Sequence, residues 1–296
     1  MVIVKLMGGL GNQMFQYAAA RRLAHFNNTN LKIDLSWFDN ICKVDSFREY
    51  ALDKFLVQEN FATKEEVDAL KFQAQGFLEK LFTKAMKRQT GGAQSYIREK
   101  YFHFDPDILH LNDGVYLEGY WQSEKYFKDI EPIIRQEFTI KSEMNEKSLA
   151  IKNQIKTTNS VSLHIRRGDY VSNPHTNKFH GSCNVKYYFR CVENLALKVK
   201  HPHFFIFSDD PEWTRVNLKL PYPTTFVDLN PPEKGYEDLK LMSLCKHHII
   251  ANSSFSWWGA WLSANRDKIV ISPDVVRSGL TAWGFEGLIP EEWFTL

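Results

Sequence analysis

The segment His164-Ile165-Arg166-Arg167-Gly168-Asp169-Tyr170 gathers an imidazole, two guanidiniums and a carboxylate at the end of an apolar run. Val161, Leu163 and Ile165 alternate with Ser162, His164 and Arg166, which is the period of a β-strand. His164 and Arg166 therefore share one face, and Arg167 takes the other as the strand ends. An imidazole and a guanidinium delivered to the carboxyl edge of a strand, followed by Gly168, suit an anion. The guanidinium offers phosphate a planar fork of donors and stays charged at any working pH. That edge is also where open α/β sheets bind ligands. A structural Arg–Asp pair closing a loop fits the same letters equally well.

Three further segments end strands in the same way. Gly8-Gly9-Leu10-Gly11-Asn12-Gln13 lies between a first strand and a first helix, where glycine lets a ligand approach backbone N–H groups. Its spacing is not the G-x-G-x-x-G of dinucleotide sites, which excludes a nicotinamide cofactor. The amides of Asn12 and Gln13 could hold sugar hydroxyls, although a plain turn explains the glycines as well. Phe204-Phe205-Ile206-Phe207-Ser208-Asp209-Asp210-Pro211 is a strand ending in two carboxylates. One of them is expected to cap the helix that Pro211 opens, leaving the other to accept hydrogen bonds from a ligand such as guanine. Asn252-Ser253-Ser254-Phe255-Ser256-Trp257-Trp258-Gly259 opens another helix, and hydroxyls at a helix N-terminus make an anion pocket or serve as ordinary caps.

Two other patterns carry less. Asp105-Pro106-Asp107 matches the DxD of metal-dependent glycosyltransferases, but Asp-Pro is a frequent turn. His247-His248 and His175/His180 lack the spacing of a closed ligand set, so no metal is expected.

The elements that must position these residues follow from composition and pattern. A chain of 296 residues makes one large or two moderate domains. Its 24% charged and 44% hydrophobic residues are ordinary for a globular protein, and a net charge of +2 offers no argument for nucleic acid. Four scattered cysteines without a CxxC pair point to reduced thiols in a cytosol. No secretory segment is expected at the N-terminus, since Met1 to Leu6 already reads as a strand, and no apolar run reaches the ~20 residues of a membrane span.

Strands are expected at 2–7, 31–35, 115–120, 160–166, 204–207, 225–228, 248–251 and 268–272. Helices are expected at 14–26, 60–90 (with Leu70, Phe77 and Leu81 inward), 126–138, 185–199, 236–245 and 254–264. One more should follow Pro211, and Thr90-Gly91-Gly92 breaks the pattern of 60–90. A polar stretch from Lys141 to Asn159 reads as a linker. Alternating strands and helices imply parallel sheets with crossover connections. The expected fold is α/β, with two Rossmann-like domains facing a cleft, 1–155 and 156–296.

Taken together, five segments resemble glycosyltransferase family 11, the α-1,2-fucosyltransferases. They are Gly8 to Tyr17, Gly119-Tyr120-Trp121-Gln122-Ser123-Glu124, His164 to Tyr170, Phe207-Ser208-Asp209-Asp210 and Asn252 to Trp258; they lie in the family's order and cover nearly the whole chain. The resemblance implies a GT-B-like arrangement, with 1–155 on the acceptor side and 156–296 binding GDP-L-fucose. It also implies inverting transfer to O2 of a galactose, with no metal and no other cofactor.

By matching motif positions, Arg166 becomes the β-phosphate ligand and catalytic group, and His164 a nucleotide contact. Asp209, with Asp210 beside it, becomes the guanine reader, while Ser253, Ser254 and Phe255 close around the diphosphate. Asn12 falls on the loop facing fucose and acceptor, with Gln13, Tyr120 and Trp121 as weaker acceptor-side candidates. Asp169, His175 and His180 are conceivable general bases that the sequence does not rank. The partners implied are GDP-fucose and a β-galactoside, in the cytoplasm, with a peripheral visit to the inner membrane face if the acceptor is lipid-linked. Oligomeric state is left open. An enzyme of other linkage (α-1,6 or O-fucosyl) and a non-catalytic sugar- or nucleotide-binding protein are the competing readings.

Overall fold

Among the described residues, every paired strand runs parallel to its neighbours. The computed structural model describes residues 1–39, 48–73, 95–168, 183–274 and 283–296. They form two compact units, Met1–Thr139 and Ile140–Leu296.

In the first unit, β1 (Val2–Lys5) leads through the Gly8-Gly9 turn into α1 (Leu10–Phe26), followed by β2 (Leu31–Asp34) and the short α2 (Ser36–Asp39). After α3 (Lys64–Gln73) come β3 (Tyr96–Arg98), β4 (Val115–Glu118) and α4 (Glu131–Glu137). The sheet order is β2-β1-β4-β3. Val2, Ile3 and Val4 are fully buried, the continuous apolar run expected of a parallel strand covered on both faces. Helix α3 adds Val67 and Leu70, three positions apart and hence on one face, to a core with Ile3 and Tyr116.

The second unit runs α5 (Glu146–Thr157), β5 (Asn159–Ile165), α6 (Val185–Ala196), β6 (Pro202–Ser208), α7 (Pro211–Asn217) and β7 (Thr224–Val227). It continues with α8 (Gly235–Leu244), β8 (His247–Ile249), α9 (Ser254–Trp261), β9 (Val270–Ser272) and β10 (Phe294–Thr295). Its sheet order is β10-β9-β8-β5-β6-β7. Counted from β5, that is the 3-2-1-4-5-6 order of a Rossmann fold.

The α/β class with two Rossmann-like units is therefore the one expected, but the division between them is not. Lys141 to Asn159 is no linker: Asn145 caps α5 by accepting a hydrogen bond from the Ser148 N–H at 2.9 Å. Ile151 and Ile155 then form a stripe four residues apart, buried with Phe205, Phe207, Leu241 and Met242. That apolar stripe ties α5 to the second sheet and moves the boundary from 155 back to Thr139. Two strands went unforeseen, β3 and β10, which span three and two residues, too short for a period to register. The helix expected over 126–138 is regular only from Glu131, where Pro132 occupies its first turn, and is preceded by two 3-10 turns. Phe77, Leu81 and Thr90-Gly91-Gly92 lie outside the described residues, whereas Leu70 is buried.

Candidate functional site

Strand order decides which loops become neighbours. In the second unit the chain steps from β5 outward to β6 and β7, then returns to place β8 on the other side of β5. The crevice at such a reversal opens at the carboxyl ends of the two strands, where doubly wound sheets bind ligands. Here those ends carry Arg166-Arg167-Gly168 after β5 and Asn252-Ser253-Ser254 after β8, with Asp209-Asp210 after β6.

The twin arginines and twin aspartates divide into two pairs. Arg166 Nη1 meets Asp209 Oδ2 at 2.9 Å, and Arg167 Nε meets Asp210 Oδ2 at 3.3 Å. Asp209 Oδ1 also accepts the Arg167 backbone N–H at 2.8 Å. Both Asp209 oxygens are thus engaged, so the expected uncommitted carboxylate is instead the partner of Arg166. A Cβ at Gly168 would stand 2.8 Å from Asp209 Oδ2, so glycine is what lets the β5 loop close on that carboxylate. Of the two, Asp210 is the one that caps, accepting from the Trp213 N–H at 3.2 Å at the start of α7, which takes it from the donor side, where it was expected, into the fold. Arg167 completes this structural half by lying 3.5 Å above the Trp213 ring.

His164 is 5% exposed, its ring 5.6 Å from that of Phe255. Burial first, and the neighbouring Arg166 charge second, lower its pKa to about 3, so the imidazole is neutral at physiological pH. Its Nδ1 is buried and without a hydrogen-bond partner among the described residues. Ser253 stands at the N-cap of α9 in extended conformation, yet its side chain makes no capping bond. Ser254 and Phe255 begin the helix. Trp257, Trp258 and Trp261 pack against one another in the core, and Trp257 Nε1 donates to the Leu288 carbonyl at 2.9 Å. They anchor α9 and are not a sugar-stacking surface.

The first unit has its own reversal, between β1 and β4. Gln122, just past β4, donates through Nε2 to Asn12 Oδ1 at 2.9 Å, joining the two strand-end loops. Gln13, expected on the acceptor side, is fully buried and structural. Its Nε2 donates to the Gly8 and Glu49 carbonyls, and its Oε1 accepts the Ala51 N–H, which leaves no amide group for a ligand. Trp121 is 1% exposed, which removes it from direct acceptor contact, while Tyr120 remains partly exposed. Asp169, His175 and His180 lie outside the described residues. Among the residues that are described, no helix is long and apolar enough to cross a membrane.

Residues 1–294 match the profile described as "Glycosyl transferase family 11". The chain belongs to this family. Among curated members, this family 11 chain is 36% identical over 282 residues to the alpha-1,2-colitosyltransferase of Escherichia coli, which covers 92% of this chain and 91% of the relative. It is 34% identical to the Escherichia coli O-antigen biosynthesis glycosyltransferase WbnK, over 90% and 92% of the two chains. The family 11 fold also resembles the fucosyltransferase NodZ from Bradyrhizobium, with a TM-score of 0.52 at 14% identity, covering 93% and 95% of the chains. A mutant of Arabidopsis thaliana FUT1 in complex with GDP gives a TM-score of 0.50 at 12% identity, over 91% and 69%. These two likenesses carry the Rossmann-like α/β fold. The chain is a family 11 glycosyltransferase.

Two contacts lay beyond sequence reasoning: Gln122 Nε2 to Asn12 Oδ1, and the Glu99 carboxylate, which accepts the Tyr120 and Trp121 N–H groups at 2.7 and 3.0 Å from just past β3, a three-residue strand too short to register.

Proposed function

We propose that this family 11 enzyme transfers L-fucose from GDP-β-L-fucose, with inversion and without a metal, to O2 of a terminal galactose, forming an α-1,2 linkage. The observation that carries the reading is the Arg166–Asp209 pair at the Rossmann switch point of the second unit, 2.9 Å long and about one-quarter exposed. Breaking the anomeric C–O bond leaves negative charge on the departing diphosphate and positive character on the sugar. A guanidinium already held in place stabilises that diphosphate without reorganising, which is where such donors are most effective. Asp209 holds the guanidinium in orientation, and the N-terminus of α9, with the Ser253 hydroxyl not engaged in capping, adds donors for phosphate. His164, neutral and with an unpaired Nδ1, contacts the nucleotide. The FUT1 structure holds GDP in a fold of this kind, which supports a guanine nucleotide as the carrier.

The donor sugar has a second reading. The 36% identical relative is a colitosyltransferase, and colitose is L-fucose without its 3-hydroxyl, so GDP-colitose would fit the same phosphate site. The O-antigen relative favours an O-antigen repeat as acceptor; if that repeat is lipid-linked, the enzyme would work at the inner membrane face.

One panel tests all of this. Lactose, N-acetyllactosamine and an O-antigen repeat are incubated with GDP-fucose or GDP-colitose, with and without chelator, and the product linkage is read by NMR. An α-1,2-fucosyl product that survives chelator is expected. A colitosyl product alone reassigns the donor, another linkage reassigns the acceptor atom, and loss with chelator overturns the metal-free step. GDP binding without turnover on any galactoside would mean a binding protein.

A further inference from the structure

The first unit's switch point contains a turn that is held harder than a connection requires. Glu99, the residue after β3, turns its carboxylate onto the chain leaving β4. Oε2 accepts the Tyr120 N–H at 2.7 Å and Oε1 the Trp121 N–H at 3.0 Å. Trp121 has φ of +53°, a left-handed conformation that a bulky residue adopts only when its surroundings impose it. Gly119 has no room for a Cβ, which would stand 2.4 Å from Glu99 Cβ and 2.9 Å from the Trp121 ring. Trp121 is itself locked in the core, edge-on to Tyr126 with ring centroids 5.9 Å apart. The Tyr126 hydroxyl in turn accepts the Asp105 N–H at 2.9 Å, so the chain after β3 is tied down at both ends.

All this restraint serves one partly exposed residue. Tyr120 lies with its ring centroid 6.4 Å from that of Phe102, the planes 33° apart. Phe102 leaves 41% of its surface in water. Arg48 feels the Tyr120 phenol electrostatically and also flanks Gly9, in the turn that opens the helix bearing Asn12. A tilted aromatic pair with polar groups alongside matches a pyranose, whose axial C–H bonds form an apolar face and whose hydroxyls need donors and acceptors.

We propose that Glu99 is the positioning residue of the acceptor site, holding the Gly119–Trp121 turn so that Tyr120 and Phe102 form a shelf for the apolar face of the acceptor's galactose. The assignment rests on the galactoside reading given above. Glu99 touches no reacting atom; it acts through the backbone of Tyr120. Phe102 is the specificity-determining contact, because the axial O4 of galactose makes one ring face polar and leaves the opposite face, with C3–H, C5–H and the equatorial C4–H, as its single apolar side, whereas glucose presents axial C–H bonds on both faces.

The test measures binding apart from turnover. Saturation-transfer NMR with lactose and N-acetyllactosamine reads the shelf, and calorimetry with GDP reads the second unit, in wild type, Phe102→Ala and Glu99→Gln. Glutamine sets an amide N–H against a backbone N–H, so only one of the two turn contacts survives. Both variants are expected to weaken galactoside binding by roughly 3- to 10-fold, the scale of one aromatic contact. GDP affinity should be unchanged, and with active donor the acceptor KM should rise while kcat stays near wild type. Phe102→Ala, at an exposed position, covers the case in which Glu99→Gln fails to fold. Galactoside binding undiminished in Phe102→Ala, GDP affinity lost in parallel in Glu99→Gln, or no binding of either galactoside to wild type would each overturn the proposal. Galactoside binding without GDP binding would leave the shelf standing and sink the GDP-sugar reading instead.

Discussion

Asp209 grips the β5 loop at two points, the Arg166 guanidinium through Oδ2 and the Arg167 backbone N–H through Oδ1. One carboxylate just past β6 thereby sets the direction of a guanidinium just past β5. A lone arginine at a strand end would sample many rotamers, whereas a fork clamped on one side presents its remaining donors in a fixed direction. If Arg166 stabilises the leaving diphosphate, Arg166→Ala should lower kcat by ~10²-fold or more, the range for losing one preorganised donor. Arg166→Lys should recover little of it, since a point charge cannot reproduce the fork. Steady-state rates on folded protein check this, and near-wild-type turnover in the alanine variant would end the assignment.

Gly168 tests the clamp without removing a charge. Gly168→Ala places a methyl 2.8 Å from Asp209 Oδ2, which must swing away from Arg166. GDP affinity, measured by calorimetry, should fall while thermal stability changes little, because the displaced atom is the end of a side chain. An unchanged GDP affinity would mean that Asp209 is not what orients Arg166.

Gln13 should prove structural. Gln13→Ala strands the Gly8 and Glu49 carbonyls and the Ala51 N–H inside the first unit. Losing partners for buried polar groups costs about 1–3 kcal/mol each where water cannot replace them. Denaturant melts should show a loss on the order of 2 kcal/mol or more. A stable variant with a raised acceptor KM would return Gln13 to the acceptor side.

The buried histidines make the fold sensitive to acid. Burial lowers the pKa of His164 to about 3 and that of His248 well below its ordinary value. In the unfolded chain both regain a value of about 6.5. The unfolded state therefore binds protons that the folded state refuses as pH falls through 6.5. Stability from these groups is complete above that pH and declines below it, toward the folded value near 3 for His164. The slope should reach about 1.4 kcal/mol per pH unit for each histidine. His164→Gln should flatten the curve of unfolding free energy against pH between 6.5 and 4, and a slope equal to wild type would contradict the burial argument. The same neutrality predicts that no limb of the pH–rate profile near 6.5 belongs to His164.

Asp238 behaves in the opposite sense. Burial, aided by Glu237 and opposed by the hydrogen bond from Asn230, raises its carboxyl to about 6. The folded state then holds a proton that the unfolded chain releases near pH 4, so this contribution is present below pH 4 and lost as pH rises through 6. Asp238→Asn is expected to stabilise the protein at pH 7–8, by on the order of 1 kcal/mol, with no gain at pH 4. Paired denaturant melts at the two pH values decide it.

Much of the second unit could be read from its letters. The alternation of Val161, Leu163 and Ile165 with Ser162, His164 and Arg166 located β5 to within a residue, and the Asp209-Asp210-Pro211 run announced a capped start of α7 without saying which aspartate caps it. Helix α5 was missed because its polar residues dominate the composition, while the two isoleucines that bury it sit four apart in a short window. Glu99 was invisible for a different reason, since its partners Tyr120 and Trp121 are about twenty residues away and no local period links them.

The sequence by itself determined most element types and the strand ends that carry charged and polar groups, which depend on side-chain period, caps and glycine placement within a few residues, and five motifs in order pointed to the family. Only the tertiary structure decided which strand ends meet, since parallel strands are joined by long crossovers and their order is settled by packing between distant parts of the chain. That order set Arg166 against Asp209, 43 positions away in the chain, and Asn12 against Gln122, 110 positions away. It also decided which polar side chains were already taken. Gln13 and Asp210 are committed inside the fold, Arg166 is paired with Asp209, and Tyr120 is partly exposed.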